Sequence, residues 1–248
     1  MPELPEVETV VRGLRNILPG WRVTSVEGVI PVEIVGKSIH VVRRYGKLII
    51  LNFADGMLFI HLGMTGQLTL SRESGPYTRG RILTDQGALR FDDIRKFGKV
   101  FWALDYPKRG PDPLELSVEE FASIISRRRG GVKALLLNQD VLRGVGNIYA
   151  DEILFRARIH PAAIAADLSN SRLARLHASM LAVLEEAIAA GGSSISDYIS
   201  ATGKRGTFQE QHRVYGKAGA ACPDCSRVLV RMLVSQRGTT YCEHCQRR

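Results

Sequence analysis

The chain has 248 residues, enough for two domains, and its 45% hydrophobic and 24% charged content is that of a globular protein with a buried core. No stretch approaches the roughly 20 apolar residues that span a bilayer, and the acidic start MPELPEVETV lacks the basic lead and apolar run of a signal peptide, so a cytoplasmic protein with no membrane partner is expected. The formal charge of +9 points to a polyanionic partner, and it is uneven: residues 199–248 hold nine Lys and Arg against three Asp and Glu.

Pro5 suits a first helical turn, and Glu6 and Glu8 favour a helix N-terminus. Val7, Val10, Val11, Leu14 and Leu18 then follow helical spacing until Pro19-Gly20. From about 21 to 104 the pattern changes to short β-rich runs, SIHVVRRY, KLIILNF, MLFIHLGM, GQLTL and GKVFWAL, separated by Gly, Asp and Ser. These predict an antiparallel β-sandwich. DYPKRGPDPLE (105–115), with three prolines, reads as a linker.

The sequence then turns helical. Ser117 and Glu120 have the spacing of a capping box. VKALLLNQ, IYADEILFRA and SRLARLHASMLAVLEEAIAAGG follow, the last closed by Gly191-Gly192. The predicted fold is therefore α+β. A β-sandwich with a flanking helix spans 1–104, a helical domain 116–212, and a four-cysteine hairpin 213–248.

The only cysteines are Cys222, Cys225, Cys242 and Cys245, two Cys-x-x-Cys knuckles separated by sixteen residues. That spacing predicts one tetrahedral zinc ion, and four thiolates leave no open position, so the metal is expected to be structural. SRVLVRMLVSQRGTTY between the knuckles predicts a β-hairpin turning at Gln236-Arg237-Gly238. With zinc bound by four thiolates the formal charge would fall by two, to +7.

Several separated motifs agree beyond this point: PELPEVETV, HLGMTG, D-x-R-x-F-G within FDDIRKFG, GVGNIYADEILF with its following IHP, VYGK, and the terminal cysteine hairpin. In kind and order they resemble the bacterial formamidopyrimidine-DNA glycosylases, over essentially the whole chain. The opening Pro-Glu-Leu-Pro is similar to that branch rather than to the related endonuclease VIII branch. The sequence departs from the family at Ile94, commonly proline, at Lys96, often arginine, and in a shortened segment before Arg43.

The resemblance implies a bifunctional glycosylase and abasic-site lyase acting on double-stranded DNA with oxidised bases or abasic sites, as a monomer in the cytoplasm at the nucleoid. Its nucleophile would be the secondary amine of Pro2, exposed once Met1 is removed. An α-amino group has a pKa of about 7.7–8.0, so much of it is free base near neutrality. Glu3 would carry protons and Glu6 would orient the N-terminus. Lys47 and Arg237 would hold phosphates at the reacting nucleotide and complete the catalytic set.

The resemblance also places DNA contacts at His61, Tyr215 and Arg231, and at Asn147, which follows Gly144-Val145-Gly146 at a helix start suited to phosphate. Met64, Arg95 and Phe97 would fill the gap left by an extruded base. Periodicity alone would make Met64 and Phe97 core or strand residues. Lys133 is a lesser candidate for the pocket. TGKRGTFQEQH (202–212) would cap the flipped base. Two other functions fit the same motifs less fully: the same fold acting on oxidised pyrimidines, and a zinc-ribbon DNA-binding protein without catalysis.

Overall fold

A computed structural model describes residues 1–194, 200–201 and 203–248. They form two compact units. The first comprises residues 1–107 and 187–209, so a segment that the sequence groups with the helical domain packs with the sandwich instead. The second comprises residues 108–186 and 210–248.

The first unit begins with helix α1 (Leu4–Arg15). Strands β1 (Val23–Gly28), β2 (Val41–Tyr45), β3 (Leu48–Phe53), β4 (Gly56–His61), β5 (Gly66–Leu70), β6 (Thr78–Thr84), β7 (Ala88–Asp93) and β8 (Lys99–Ala103) follow. They form two antiparallel four-stranded sheets, ordered β1-β6-β7-β5 and β2-β3-β4-β8. The sandwich and its flanking helix are therefore present as the sequence predicts.

The core explains the β3 pattern. Ile49, Leu51 and Phe53 point into the main core with Val7, Val10, Val11 and Leu14 of α1. Ile50 points the other way, to a second cluster with Met57 and Phe59. A strand covered on both faces reads as a continuous apolar run, not an alternating one. Glu8 then fixes the helix on the sheet. Its carboxylate is nearly enclosed and accepts from Arg44 Nε at 3.0 Å, and the Arg44 side chain is itself only 8% exposed.

In the second unit, α2 (Val118–Ser126) opens with the expected capping box: Ser117 Oγ accepts from Glu120 N and Glu120 Oε2 from Ser117 N. Helices α3 (Val132–Leu137) and α4 (Asn147–Arg156) are joined by a turn at 139–141 and a bend at 142–144, and α5 (Asn170–Ala189) is the longest helix. Residues 148–155 of α4 are all buried. It is the central helix of this unit, and its acidic residues Asp151 and Glu152 are enclosed with it.

The terminal hairpin pairs β9 (Val230–Val234) with β10 (Arg237–Tyr241). Its turn is Ser235-Gln236, both with positive φ (48° and 59°), not the expected Gln236-Arg237-Gly238. Two left-handed residues match the right-handed twist of the strands. Gly238 lies inside β10, where a Cβ would come within 2.9 Å of the Arg231 guanidinium. The glycine serves that close approach, and Arg237 is the first strand residue after the turn.

Candidate functional site

Within the first unit, the chemistry-bearing N-terminus is enclosed. Pro2 is buried, and Glu3 and Glu6 are 3% and 1% exposed. Glu3 caps α1 in a reciprocal box: its carboxylate accepts from the Glu6 amide, and its own amide donates to Glu6 Oε2 at 2.7 Å. The other Glu6 oxygen accepts from Ser193 N, also at 2.7 Å. Gly192 (φ +82°) passes so close that a Cβ would lie 2.7 Å from Glu6 Oε1. Ser193, which sequence reasoning did not single out, and Gly192, read from the sequence only as closing the long helix, are therefore the seat on which Glu6 rests.

Lys47 lies in the turn between β2 and β3, immediately before the cross-strand pair Leu48–His61. On the other side of β4, His61 pairs with Lys99. Strand register thus gathers Lys47, His61 and Lys99 at one end of the sheet. Burial pushes the His61 imidazole below its ordinary pKa, and the two lysines push it further. Its Nδ1 accepts from Gly63 N at 3.0 Å, so the neutral ring carries its proton on Nε2. A neutral donor beside two ammonium groups is suited to an anion. Lys99 was missed, since a lysine at a strand end carries no signal until pairing is known.

Met64 and Phe97 are 40% and 53% exposed and lie on loops, which overturns the periodicity reading of both as core. The Arg95 guanidinium sits 4.8 Å from the Phe97 ring centroid. Asp93, 1% exposed, ties the two loops together. Its Oδ1 accepts from Thr65 Oγ1 at 2.6 Å and its Oδ2 from Gly98 N at 2.7 Å, while Arg95 N donates to Thr65 Oγ1 at 3.0 Å. The exposed Met, Arg and Phe are carried on a cross-braced support.

If that trio fills a gap in a base stack, its loss should matter most where opening the stack is hardest. An abasic site has no base to extrude, whereas a paired damaged base must first be unstacked. Phe97→Ala is expected to slow excision of a paired damaged base far more than cleavage at a preformed abasic site. Single-turnover rates on both substrates test this, and equal slowing would return Phe97 to a structural role.

In the second unit, Asn147, Tyr215 and Arg231 line one cavity of about 490 Å³. Three of the expected DNA contacts are thereby brought together. Glu152, buried behind the lining, holds the Tyr215 segment: its two oxygens accept from the amides of Arg213, Val214 and Tyr215 at 2.8–3.0 Å. Asn147 donates from Nδ2 to the Gly238 carbonyl at 3.0 Å, and its Oδ1 accepts from Lys133 Nζ at 2.7 Å. Lys133 is fully enclosed, with its ammonium also 2.7 Å from Thr239 Oγ1 and 2.6 Å from Asp151. Lys133 therefore lies beneath this surface and positions Asn147 and the hairpin.

The four cysteine sulfurs all lie within 4.8 Å of one another, with Cys222–Cys245 at 3.9 Å and Cys225–Cys242 at 3.5 Å. Tetrahedral thiolates about 2.3 Å from zinc would stand about 3.8 Å apart, so the site fits that ion. Burial and the neighbouring thiols push the Cys245 thiol up. Cys242→Ser is expected to lose the metal and weaken DNA binding, because the knuckles would no longer close the hairpin that carries Arg237. Metal analysis with binding titrations checks this, and active protein free of zinc would overturn it.

The chain thus combines a sandwich carrying an enclosed N-terminal acidic pair with a helical unit whose hairpin carries four cysteines able to hold a metal ion. Comparison with known proteins makes this specific. The formamidopyrimidine-DNA glycosylase N-terminal domain matches residues 1–100, and the H2TH domain of the same glycosylases matches residues 109–199. Curated relatives named formamidopyrimidine-DNA glycosylase, from Solibacter usitatus and Albidiferax ferrireducens, are 45% and 40% identical over the full length of both chains. The MutM (Fpg) structure from Thermus thermophilus superposes with a TM-score of 0.91 at 38% identity, covering 99% of this chain and 98% of that one. A mutant Fpg from Lactococcus lactis, in complex with Fapy-dG-containing DNA, gives 0.90 at 33% identity with complete coverage of both. A further Lactococcus lactis Fpg complex holds abasic-site DNA, with a TM-score of 0.89 at 33% identity, covering 99% and 100%. The chain belongs to the formamidopyrimidine-DNA glycosylase family. It is a DNA glycosylase of base excision repair.

Proposed function

We propose that this glycosylase excises oxidised purines, 8-oxoguanine and formamidopyrimidines, from duplex DNA and then cleaves the strand through a Schiff base on Pro2. The observation that carries this reading is the enclosed acidic pair beside Pro2, with Glu3 and Glu6 locked in one cap and Glu6 held by Ser193. The Lactococcus relative's complex with Fapy-dG DNA supports the purine choice.

The steps follow from the groups present. The Pro2 nitrogen attacks the sugar C1′, the bond from C1′ to the base breaks, and the base leaves with a proton. Glu3 delivers a proton to the ring oxygen, so the sugar opens and the C1′–nitrogen bond becomes an iminium. The iminium acidifies the C2′ proton, and its removal expels the 3′ phosphate; a second elimination expels the 5′ phosphate. Lys47, His61 and Arg237 hold the flanking phosphates, with Asn147, Tyr215 and Arg231 as further backbone contacts. One zinc ion on the four cysteines keeps the hairpin folded and supplies no step.

Among the described residues no helix is long and apolar enough to cross a membrane. The enzyme acts as a monomer on chromosomal DNA in the cytoplasm. Of the segment expected to cap the flipped base, Thr202 lies outside the described residues, and Gly206 meets the Gly191–Ser194 turn beside Glu6.

A retained Met1 makes the Pro2 nitrogen a tertiary amide with no lone pair to attack. Protein shown by intact mass to begin at Pro2 is expected to give a covalent adduct with damaged DNA under borohydride, and protein retaining Met1 none. Full strand cleavage by the Met1-retaining form would remove Pro2 as nucleophile. A lesion panel separates purine from pyrimidine preference.

A further inference from the structure

The helical unit carries a second cavity, of about 580 Å³, that shares no lining residue with the one formed by Asn147, Tyr215 and Arg231. Five arginines line it: Arg158, Arg172, Arg175, Arg247 and Arg248. They come from three parts of the chain, the turn after α4, the first two turns of α5, and the segment after Cys245.

These parts are fastened to one another. Ile159 pairs with Arg247 in an isolated bridge, and His160 N donates to the Arg247 carbonyl at 2.9 Å. Arg172 Nη2 donates to that same carbonyl at 2.7 Å, and Arg175 Nε donates to the Ala157 carbonyl at 2.8 Å. Each of these two guanidiniums is held by one N–H and keeps its other donors for a ligand.

The charge is not balanced from within. Among the described residues none of the five arginines is in an ion pair, and the one side-chain carboxylate on the cavity wall, Asp224, is taken by Arg213. Arg172 and Arg175 stand at the helix end where peptide dipoles are themselves positive. Burial and the adjacent Arg175 together push the Arg172 guanidinium below its ordinary pKa. Cys225 and Cys245 lie on the wall, and a zinc tetrathiolate there would carry a net charge of −2. Five guanidinium charges outweigh it. Arginine forks match phosphate oxygens two at a time, and no lysine lines the cavity.

We propose that this cavity is a second phosphate-binding site, separate from the proposed glycosylase site, that takes closely spaced phosphates. Their source is either a nucleic-acid strand outside the duplex under repair or a free polyphosphate. The test compares wild type with Arg172→Ala/Arg175→Ala and with Arg247→Glu, whose backbone carbonyl keeps its bonds if the double variant unfolds. Zinc content is measured throughout.

Inorganic pyrophosphate is titrated by calorimetry with a short lesion duplex already saturating the first site, and a long undamaged duplex is titrated across salt. Wild type is expected to bind pyrophosphate, and the variants to lose at least about tenfold in affinity. For the long duplex, the salt slope should fall by about two in the double variant. Excision on the short duplex should be unchanged. A loss of pyrophosphate binding alone assigns the site to a free polyphosphate, and a loss of slope alone assigns it to a strand. If both measurements match wild type, the proposal is overturned. It is also overturned if the variants lose zinc, because the arginines then serve the thiolates.

Discussion

Glu3→Gln is expected to leave the protein folded and able to bind a damaged duplex while slowing base excision by about 10²–10⁴-fold, the usual contribution of a positioned proton carrier. The separation of fold from chemistry follows from the cap. A glutamine keeps a carbonyl oxygen that can accept from the Glu6 amide, so α1 retains its first turn, but it carries no proton to the sugar. Glu6→Gln makes an informative contrast. Both Glu6 oxygens accept from backbone N–H groups, those of Glu3 and Ser193, and an amide NH2 would face one of these donors. That variant should lose stability as well as rate. Single-turnover excision with thermal melts distinguishes the two. A Glu3→Gln enzyme within a factor of about two of wild type would remove Glu3 from the chemistry.

Lys133→Met should cost stability rather than charge at the surface. The ammonium is fully enclosed and Asp151 is 1% exposed, so the substitution strands a buried carboxylate. Breaking one side of such a pair typically costs about 3–5 kcal/mol. The pH dependence identifies the cause. Burial raises the Asp151 carboxyl from 3.8 to about 6, against the opposing pull of Lys133. A carboxyl raised by folding favours the folded state most below its ordinary pKa, and that contribution is lost as pH rises through about 6. Without Lys133 the carboxyl climbs further. At pH 5 it is protonated and needs no cation; at pH 8 it must be charged without one, or bind a proton against the bulk. The gap in melting temperature between variant and wild type should therefore be wide at pH 8 and narrow at pH 5. A gap that is the same at both would mean that lost packing, not the stranded charge, dominates.

What the sequence discloses and what it hides divides along physical lines. The four-cysteine cluster was legible because ligand spacing is a local property. The flanking helix and the sandwich were legible because apolar periodicity reports burial. Burial by itself, however, does not report partners. Asp93 stands in a motif that drew attention to Arg95 and Phe97, yet it is the buried member that braces the loops on which the exposed members stand. Asp151 and Glu152 look like an ordinary solvated pair in IYADEILF. The available signal was that α4 has apolar residues on every side, leaving an acidic pair no face toward water. Lys99 and Ser193 needed strand register and a long-range contact, neither of which a single sequence contains. The turn at Ser235-Gln236 was misplaced because the one glycine nearby serves the Arg231 approach.

The hairpin's side anchors have a mechanical meaning. The four cysteines gather at one end of it, but the Gly238 carbonyl, the Thr239 hydroxyl and the Thr240 amide are gripped by Asn147, Lys133 and Asp151 within three residues of Arg237. In the proposed complex, a bent duplex pulling on the Arg237 guanidinium works against a short lever. The load passes sideways into the first turns of α4, not lengthwise to the cysteines, and the cysteine cluster is spared the recoil of the DNA.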